Sequence, residues 1–273
     1  MKLFYRKMGS GQPLIILHGL YGSSDNWLSI GRSLADDFEV YLVDQRNHGK
    51  SPHDDIHNYK ALRDDLLELM DDAGLDKAIL AGHSMGGKTV MCFARHFPER
   101  VKSLVVIDIA PKSYKKMARN ASPSHYDIIR AMIDMDPSRA SSRSEAEAML
   151  GDAVPQERIR KFIMKNLGRG DDKKYYWTIN TRVLLRELDT IMGDKDDSCF
   201  DSGSPVKGFP VLFIRGKNSP YILDEDKAQI TKIFPAASFE MIPGAGHWLH
   251  AEQPEYFLKV LKDFAINSRN NNP

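Results

Sequence analysis

Between residues 3 and 108 the chain alternates short runs of Val, Ile and Leu with longer stretches whose apolar residues recur every three or four positions. Short uncharged runs suit strands buried on both faces, and the intervening 3.6-residue period suits the crossover helices that parallel strands require. Seven strands are expected, over residues 2–7, 14–17, 39–43, 78–81, 104–107, 211–214 and 239–242, each closed by Gly, Asp, Asn or Pro. The stretch 58–74 sets Leu62, Leu66, Leu69 and Ala73 on one helical face, with Gly74 as its stop. Pro254 suits the start of a last helix carrying Phe257, Leu261 and Phe264, and the polar residues 269–273 read as a frayed tail.

From about residue 112 to 205 the pattern changes to charged, Ser- and Asp-rich sequence with helical fragments such as ERIRKFIMKNL and RVLLRELDTIM and no strand runs. This reads as a helical cap (112–205) inserted between two parts of an α/β core (1–111 and 206–268). SRASSRSEAEA and MGDKDDSCFDSGSP read as solvated linkers around or within it. A length of 273 residues suits one large core with such an insertion.

Charge narrows the partners. Lys and Arg number 38 against 37 Asp and Glu, which removes any electrostatic reason to expect nucleic acid or an anionic membrane surface, and a small molecule remains. No apolar run is long enough for a signal-peptide core or a membrane span. Cys92 and Cys199 are far apart and belong to no CxxC or Cys/His cluster, so no metal or redox motif is expected and a reducing, cytoplasmic setting fits.

The chemistry concentrates at Gly82-His83-Ser84-Met85-Gly86, a GxSxG turn between the fourth expected strand and the helical pattern GKTVMCFARHF. A sharp strand-to-helix turn holds such a serine in a strained conformation and presents its Oγ above the sheet, while flanking glycines remove colliding side chains. The helix behind it directs unpaired N–H groups at the site, so the Met85 N–H is a candidate oxyanion donor. The second donor is expected from the Gly-bracketed loop 18–22, at the Leu20 N–H. His247, in a glycine-rich loop after the last strand, is the candidate general base; His250, nearer the last helix, is the rival. His18 precedes the nucleophile, whereas this kind of site runs Ser, acid, His along the chain, so His18 reads as a loop-orienting residue.

The acid is less direct, because the loop after the 211–214 strand ends in Ser219 rather than Asp. Asp108 closes the 104–107 strand in the apolar setting VVIDIAP, where an unpaired carboxylate is costly, and is the better candidate over Asp224 and Asp226. Ser219 either hydrogen-bonds to Asp108 or His247 or simply shapes the turn before Pro220. Residues 44–51, dense in turn formers and paired charges, read as a buried scaffold turn. Tyr21, Trp177 and Trp248 are candidate pocket residues. Phe162, Met164, Tyr175 and Tyr176 either join an acyl pocket or form ordinary core.

Taken together, HGLYGS, DQRNHGKS, GHSMGGKTVM, VVIDIAP, GKNSPY and GAGHWLHAE make the chain resemble the YbfF-like esterase group of the α/β-hydrolases over nearly its whole length outside the cap. The resemblance implies a nucleophile at Ser84, a histidine at His247, the acid at Asp108 and an assisting serine at Ser219. It implies cleavage of a small carboxylic ester or thioester through an acyl-enzyme, with no cofactor and no metal. An acyl-CoA-type thioesterase and a catalytically silent ligand receptor are the competing expectations. Where the wider superfamily more often has glycine, this chain has Asn47, a departure shared with the YbfF-like group.

Overall fold

The computed structural model describes residues 1–121, 123–193, 197–200 and 203–270. In its first part β1 (Tyr5–Met8), β2 (Gln12–Leu17), β3 (Phe38–Val43), β4 (Ala78–His83) and β5 (Val101–Ile107) are interleaved with α1 (Leu28–Leu34), α2 (Tyr59–Asp72) and α3 (Met85–His96). After β5 come α4 (Lys115–Asn120), α5 (His125–Asp134), α6 (Arg143–Met149) and α7 (Glu157–Ile163). A hairpin of β6 (Leu167–Arg169) and β7 (Tyr175–Trp177) follows, then α8 (Thr181–Arg186), α9 (Leu188–Met192) and α10 (Asp197–Phe200). The chain closes with β8 (Val211–Gly216), α11 (Asp226–Ile233), β9 (Ala237–Ile242), α12 (Leu249–Glu252) and α13 (Pro254–Asn270).

All seven expected strands form, and they share one sheet in the order β1-β3-β2-β4-β5-β8-β9. β1 runs antiparallel to β3; the other neighbours are parallel. The period-2 alternation of the strands divides two cores. Leu14 and Ile16 face Trp27, Leu34, Phe257 and Leu261, whereas Ile15 and Leu17 face the side that buries Leu62, Leu66 and Leu69 of α2. Gly74 stops α2 as expected: it takes φ +66°, its N–H donates to Asp71 O, and the Leu75 N–H donates to Met70 O.

Strand order and register position the chemistry. The chain progresses from β2 to β3 on one side and reaches β4 on the other, so the order reverses between β2 and β4, the place where open α/β sheets bind ligands beyond their carboxyl ends. Leu17 pairs with Gly82 and His83 with Ile107, which brings the loops after β2, β4 and β5 together.

The β5–β8 segment departs from the sequence reading in several places. It contains the β6–β7 hairpin, too short to register as an apolar run. SRASSRSEAEA is not a plain linker: the Ser142 side chain accepts from the Glu145 N–H, capping α6, and Ala146 is buried. MGDKDDSCFDSGSP falls partly outside the described residues, as do residues 271–273 of the tail, and α13 continues through Asn270.

Cys92 and Cys199 are joined in a disulfide, because helical spacing places Cys92 on the face of α3 that meets α10. Disulfides belong to oxidising surroundings, so the argument from thiols to a cytoplasmic setting falls away. One turn before Cys92 on the same helix, the Lys88 ammonium is buried and donates to Lys112 O at 2.8 Å and Gly193 O at 2.6 Å, among the rings of Tyr59, Tyr114 and Phe200. One helix turn of α3 thus holds both stems of the β5–β8 segment. Among the described residues no helix is long and apolar enough to cross a membrane.

Candidate active site

Ser84 sits between β4 and α3 with φ +53° and ψ −115°, a backbone conformation disfavoured for any residue with a side chain. The turn is tight enough to dictate its neighbours. A Cβ on Gly82 would meet Gly86 O at 2.2 Å, and one on Gly86 would meet Leu17 O at 2.5 Å. The Ser84 N–H donates to Ile107 O at 3.0 Å, which ties the turn to the end of β5. Met85 opens α3, so its N–H belongs to the unpaired first turn facing the site.

Asp108, fully buried and at φ +51°, follows directly. Its Oδ1 accepts the Gly216 N–H at 3.1 Å; its Oδ2 accepts the Ser219 hydroxyl in a short bond and lies 2.8 Å from His247 Nδ1. A buried carboxylate is tolerated here because donors converge on it from two other loops. Asp224 is bound to Arg215 and Lys227, and Asp226 to Lys112, so both rivals are engaged elsewhere. Ser219 therefore reaches the carboxylate itself, and its hydroxyl also accepts the Tyr221 N–H at 3.3 Å.

His247 is held on three sides. The Tyr221 ring stacks on its imidazole at 3.7 Å and 12°, and His83 Nε2 donates to its carbonyl at 2.8 Å. Since a carbonyl only accepts, that bond requires Nε2-protonated His83; burial, then the nearby His247, pushes the His83 pKa well below its ordinary value and keeps the ring neutral. Neither Tyr221 nor His83 was singled out in sequence. For His83 the signal was its place inside the GxSxG turn.

A cavity of about 220 Å³ joins these groups and is walled by Leu20, Tyr21, Ser84, Phe162, His247 and Trp248, among others. No Asp, Glu, Lys or Arg is among its described lining residues. Trp177 does not line it, contrary to the sequence expectation. Its indole N–H donates to Met132 O, which commits the ring to packing β7 against α5. Met164 and Tyr175 join the core or pack against it and Tyr176 is exposed; of that group only Phe162 reaches the cavity. Trp27, His125 and Ile159 line it without having been anticipated.

Leu20 and Tyr21 lie in the loop after β2. His18 holds that loop as expected: its Nδ1 donates to Gly19 O at 2.8 Å and its Nε2 accepts the Gln45 N–H at 3.0 Å. Residues 44–51 form the expected scaffold turn, with Asp44 accepting the N–H groups of Ser24 and Lys50. His250 has no carboxylate partner among the described residues; it stacks on Trp27 at 4.1 Å, and its buried Nδ1 is unpaired. A larger depression of about 1120 Å³ lies at the opposite, amino end of the strands beside Lys77, Lys102 and Lys207, away from every candidate residue. Cys92, His96 and Cys199 come within 4.8 Å of one another, but both sulfurs are committed to the disulfide.

The comparisons with known proteins bear on the family and the fold. The family model for the alpha/beta hydrolase fold matches residues 12–254. The chain is 35% identical over 255 residues to "Esterase YbfF" of Escherichia coli K12, covering 93% of each chain. It is 36% identical over 258 residues to "sn-1-specific diacylglycerol lipase ABHD11" of Xenopus laevis, covering 93% of this chain and 80% of that one. A solved structure titled "Marine microorganism esterase" superposes with a TM-score of 0.90 at 45% identity, covering 96% of this chain and 99% of the other. With these likenesses running nearly end to end over a strand order and loop arrangement read independently from its own residues, the chain belongs to the α/β-hydrolase family, in the group of the YbfF esterase.

Proposed function

We propose that the protein is a serine carboxylesterase that cleaves small to medium acyl esters through an acyl-enzyme. The observation that carries the reading is that His247, 2.8 Å from the buried Asp108 carboxylate, lines one cavity with the strained Ser84. Ser84 Oγ attacks the ester carbonyl while His247 Nε2 takes its proton; Asp108, on Nδ1, holds the tautomer and balances the imidazolium. The N–H groups of Leu20 and Met85 receive the oxyanion. His247 returns the proton to the departing alcohol, and water repeats the sequence to release the acid. Ser219 and the Gly216 N–H keep the Asp108 carboxylate aimed at His247.

In this reading the β5–β8 segment, residues 112–205, acts as a cap on a core made of 1–111 and 206–268, since His125, Ile159 and Phe162 close the cavity from that side. A volume of about 220 Å³ favours short acyl groups. Thioesters suit the same machinery, and the name of the Xenopus relative suggests glycerolipid esters as a second substrate class. Hydrolysis of p-nitrophenyl acetate and butyrate by wild type, Ser84→Ala and Asp108→Asn tests the reading. Turnover by wild type with near-complete loss in both variants is expected. Full activity in Asp108→Asn would refute the acid assignment, and a silent wild type would favour an enzyme of narrower substrate range or a receptor.

A further inference from the structure

Among the described residues four imidazoles besides that of His247 line the cavity, those of His18, His83, His125 and His250. Three belong to the core, where His18 and His83 brace loops and His250 packs on Trp27. His125 alone comes from the β5–β8 segment, as the first residue of α5, and the steps described so far give it no task. It is not idle packing. Its ring stacks on Tyr21 at 5.7 Å and 25°, with Nδ1 3.2 Å and the backbone carbonyl 3.3 Å from the Tyr21 hydroxyl.

That contact occupies one ring nitrogen only. If the Tyr21 hydroxyl donates to Nδ1, then Nε2 carries the ring proton and is a donor; if it donates to the carbonyl, Nδ1–H donates to the hydroxyl and Nε2 is an acceptor. Among the described residues Nε2 makes no hydrogen bond, and the half-buried ring lines the cavity. Tyr21 is itself fixed, at φ +62° and with its carbonyl accepting from Asn166 Nδ2 at 2.8 Å, so the pair is preorganised. Burial pushes the His125 pKa down to about 4, which leaves the ring neutral near pH 7.

We propose that the Tyr21–His125 pair is a specificity site for a second, neutral oxygen in the substrate, a hydroxyl or carbonyl beyond the scissile ester. An anionic group is disfavoured, since no Lys or Arg is among the described lining residues to repay its desolvation. A purely hydrocarbon substrate that covers the ring withdraws Nε2 from water without giving it a partner. The oxygen can lie on the acyl or on the alcohol side, and the chemistry of recognition is the same for both. The inference rests on the ester-hydrolase reading above.

The test compares kcat/KM for matched ester pairs. On the acyl side the pair is ethyl 3-hydroxybutyrate and ethyl butyrate; on the alcohol side it is 2-hydroxyethyl butyrate and propyl butyrate. Wild type is expected to prefer the oxygenated member on one side by about tenfold or more, the value of one buried hydrogen bond. His125→Phe is expected to collapse that ratio, His125→Gln to restore much of it through its amide, and Tyr21→Phe to lower it while keeping the ring stack. No preference in wild type, or a ratio undiminished in His125→Phe, would overturn the proposal while leaving the esterase reading intact. Failure of wild type on all four esters and on p-nitrophenyl acetate would remove both.

Discussion

Acid should unfold this protein early, and the burial of its imidazoles sets the size of the effect. Desolvation holds His57 and His250 at about 3 and His125 at about 4, well below the ordinary 6.5, and pushes His18, His48 and His83 down as well. His57 illustrates why: its Nδ1 faces Asn47 Nδ2 at 3.2 Å, its Nε2 is buried and unpaired, and among the described residues no carboxylate bonds to it. The folded state therefore refuses protons that the unfolded chain accepts below pH 6.5. This contribution is fully present above pH 6.5 and is lost as the pH falls toward 4 and 3. Near pH 5 the three groups with values together bind close to three more protons when unfolded, so stability drops by about 4 kcal/mol per pH unit. Against a typical total of about 5–15 kcal/mol, two to three units consume the whole. Urea denaturation followed by tryptophan fluorescence at pH 7.5, 6.5, 5.5 and 5.0 measures the slope. His250→Phe, which keeps a ring on Trp27, should reduce it by about 1.4 kcal/mol per unit. Stability independent of pH between 6.5 and 5.0, or an identical slope in His250→Phe, would refute the reasoning.

Three further outcomes are expected. Ser219→Ala removes a hydroxyl donor from a fully buried carboxylate, worth about 1.5–3 kcal/mol, and should lower kcat/KM for p-nitrophenyl acetate by roughly 10- to 100-fold without abolishing it. Lys88→Met deprives the Lys112 and Gly193 carbonyls of a buried cationic donor and should destabilise by about 1–3 kcal/mol, read as a lowered urea midpoint. Reduction of the Cys92–Cys199 disulfide, which spans 107 residues, should cost about 2–4 kcal/mol, and Cys92→Ser with Cys199→Ser should show the same loss without reductant.

The sequence by itself determined the sheet and the turn that carries Ser84, and it pointed to Asp108 as the candidate acid, because each is written in local signals. Strands buried on both faces must be uninterrupted apolar runs, a strained strand-to-helix turn must be flanked by glycines, and a serine where an aspartate is expected directs attention to a carboxylate on another strand. What those signals lack is any record of contacts between distant segments. The β6–β7 hairpin is too short to show a period, and Trp177 looks like a pocket aromatic until its N–H is found on Met132 O. Cys92 and Cys199 look like separate thiols until α10 packs on α3. Likewise, only tertiary structure decided that Tyr221 and His83 brace His247, that Lys88 gathers both stems of the β5–β8 segment, and that His125 reaches the cavity. The physical reason is that strands and turns answer to their own residues, whereas a lone ring or ammonium acquires its role from whatever a fold of 273 residues brings beside it.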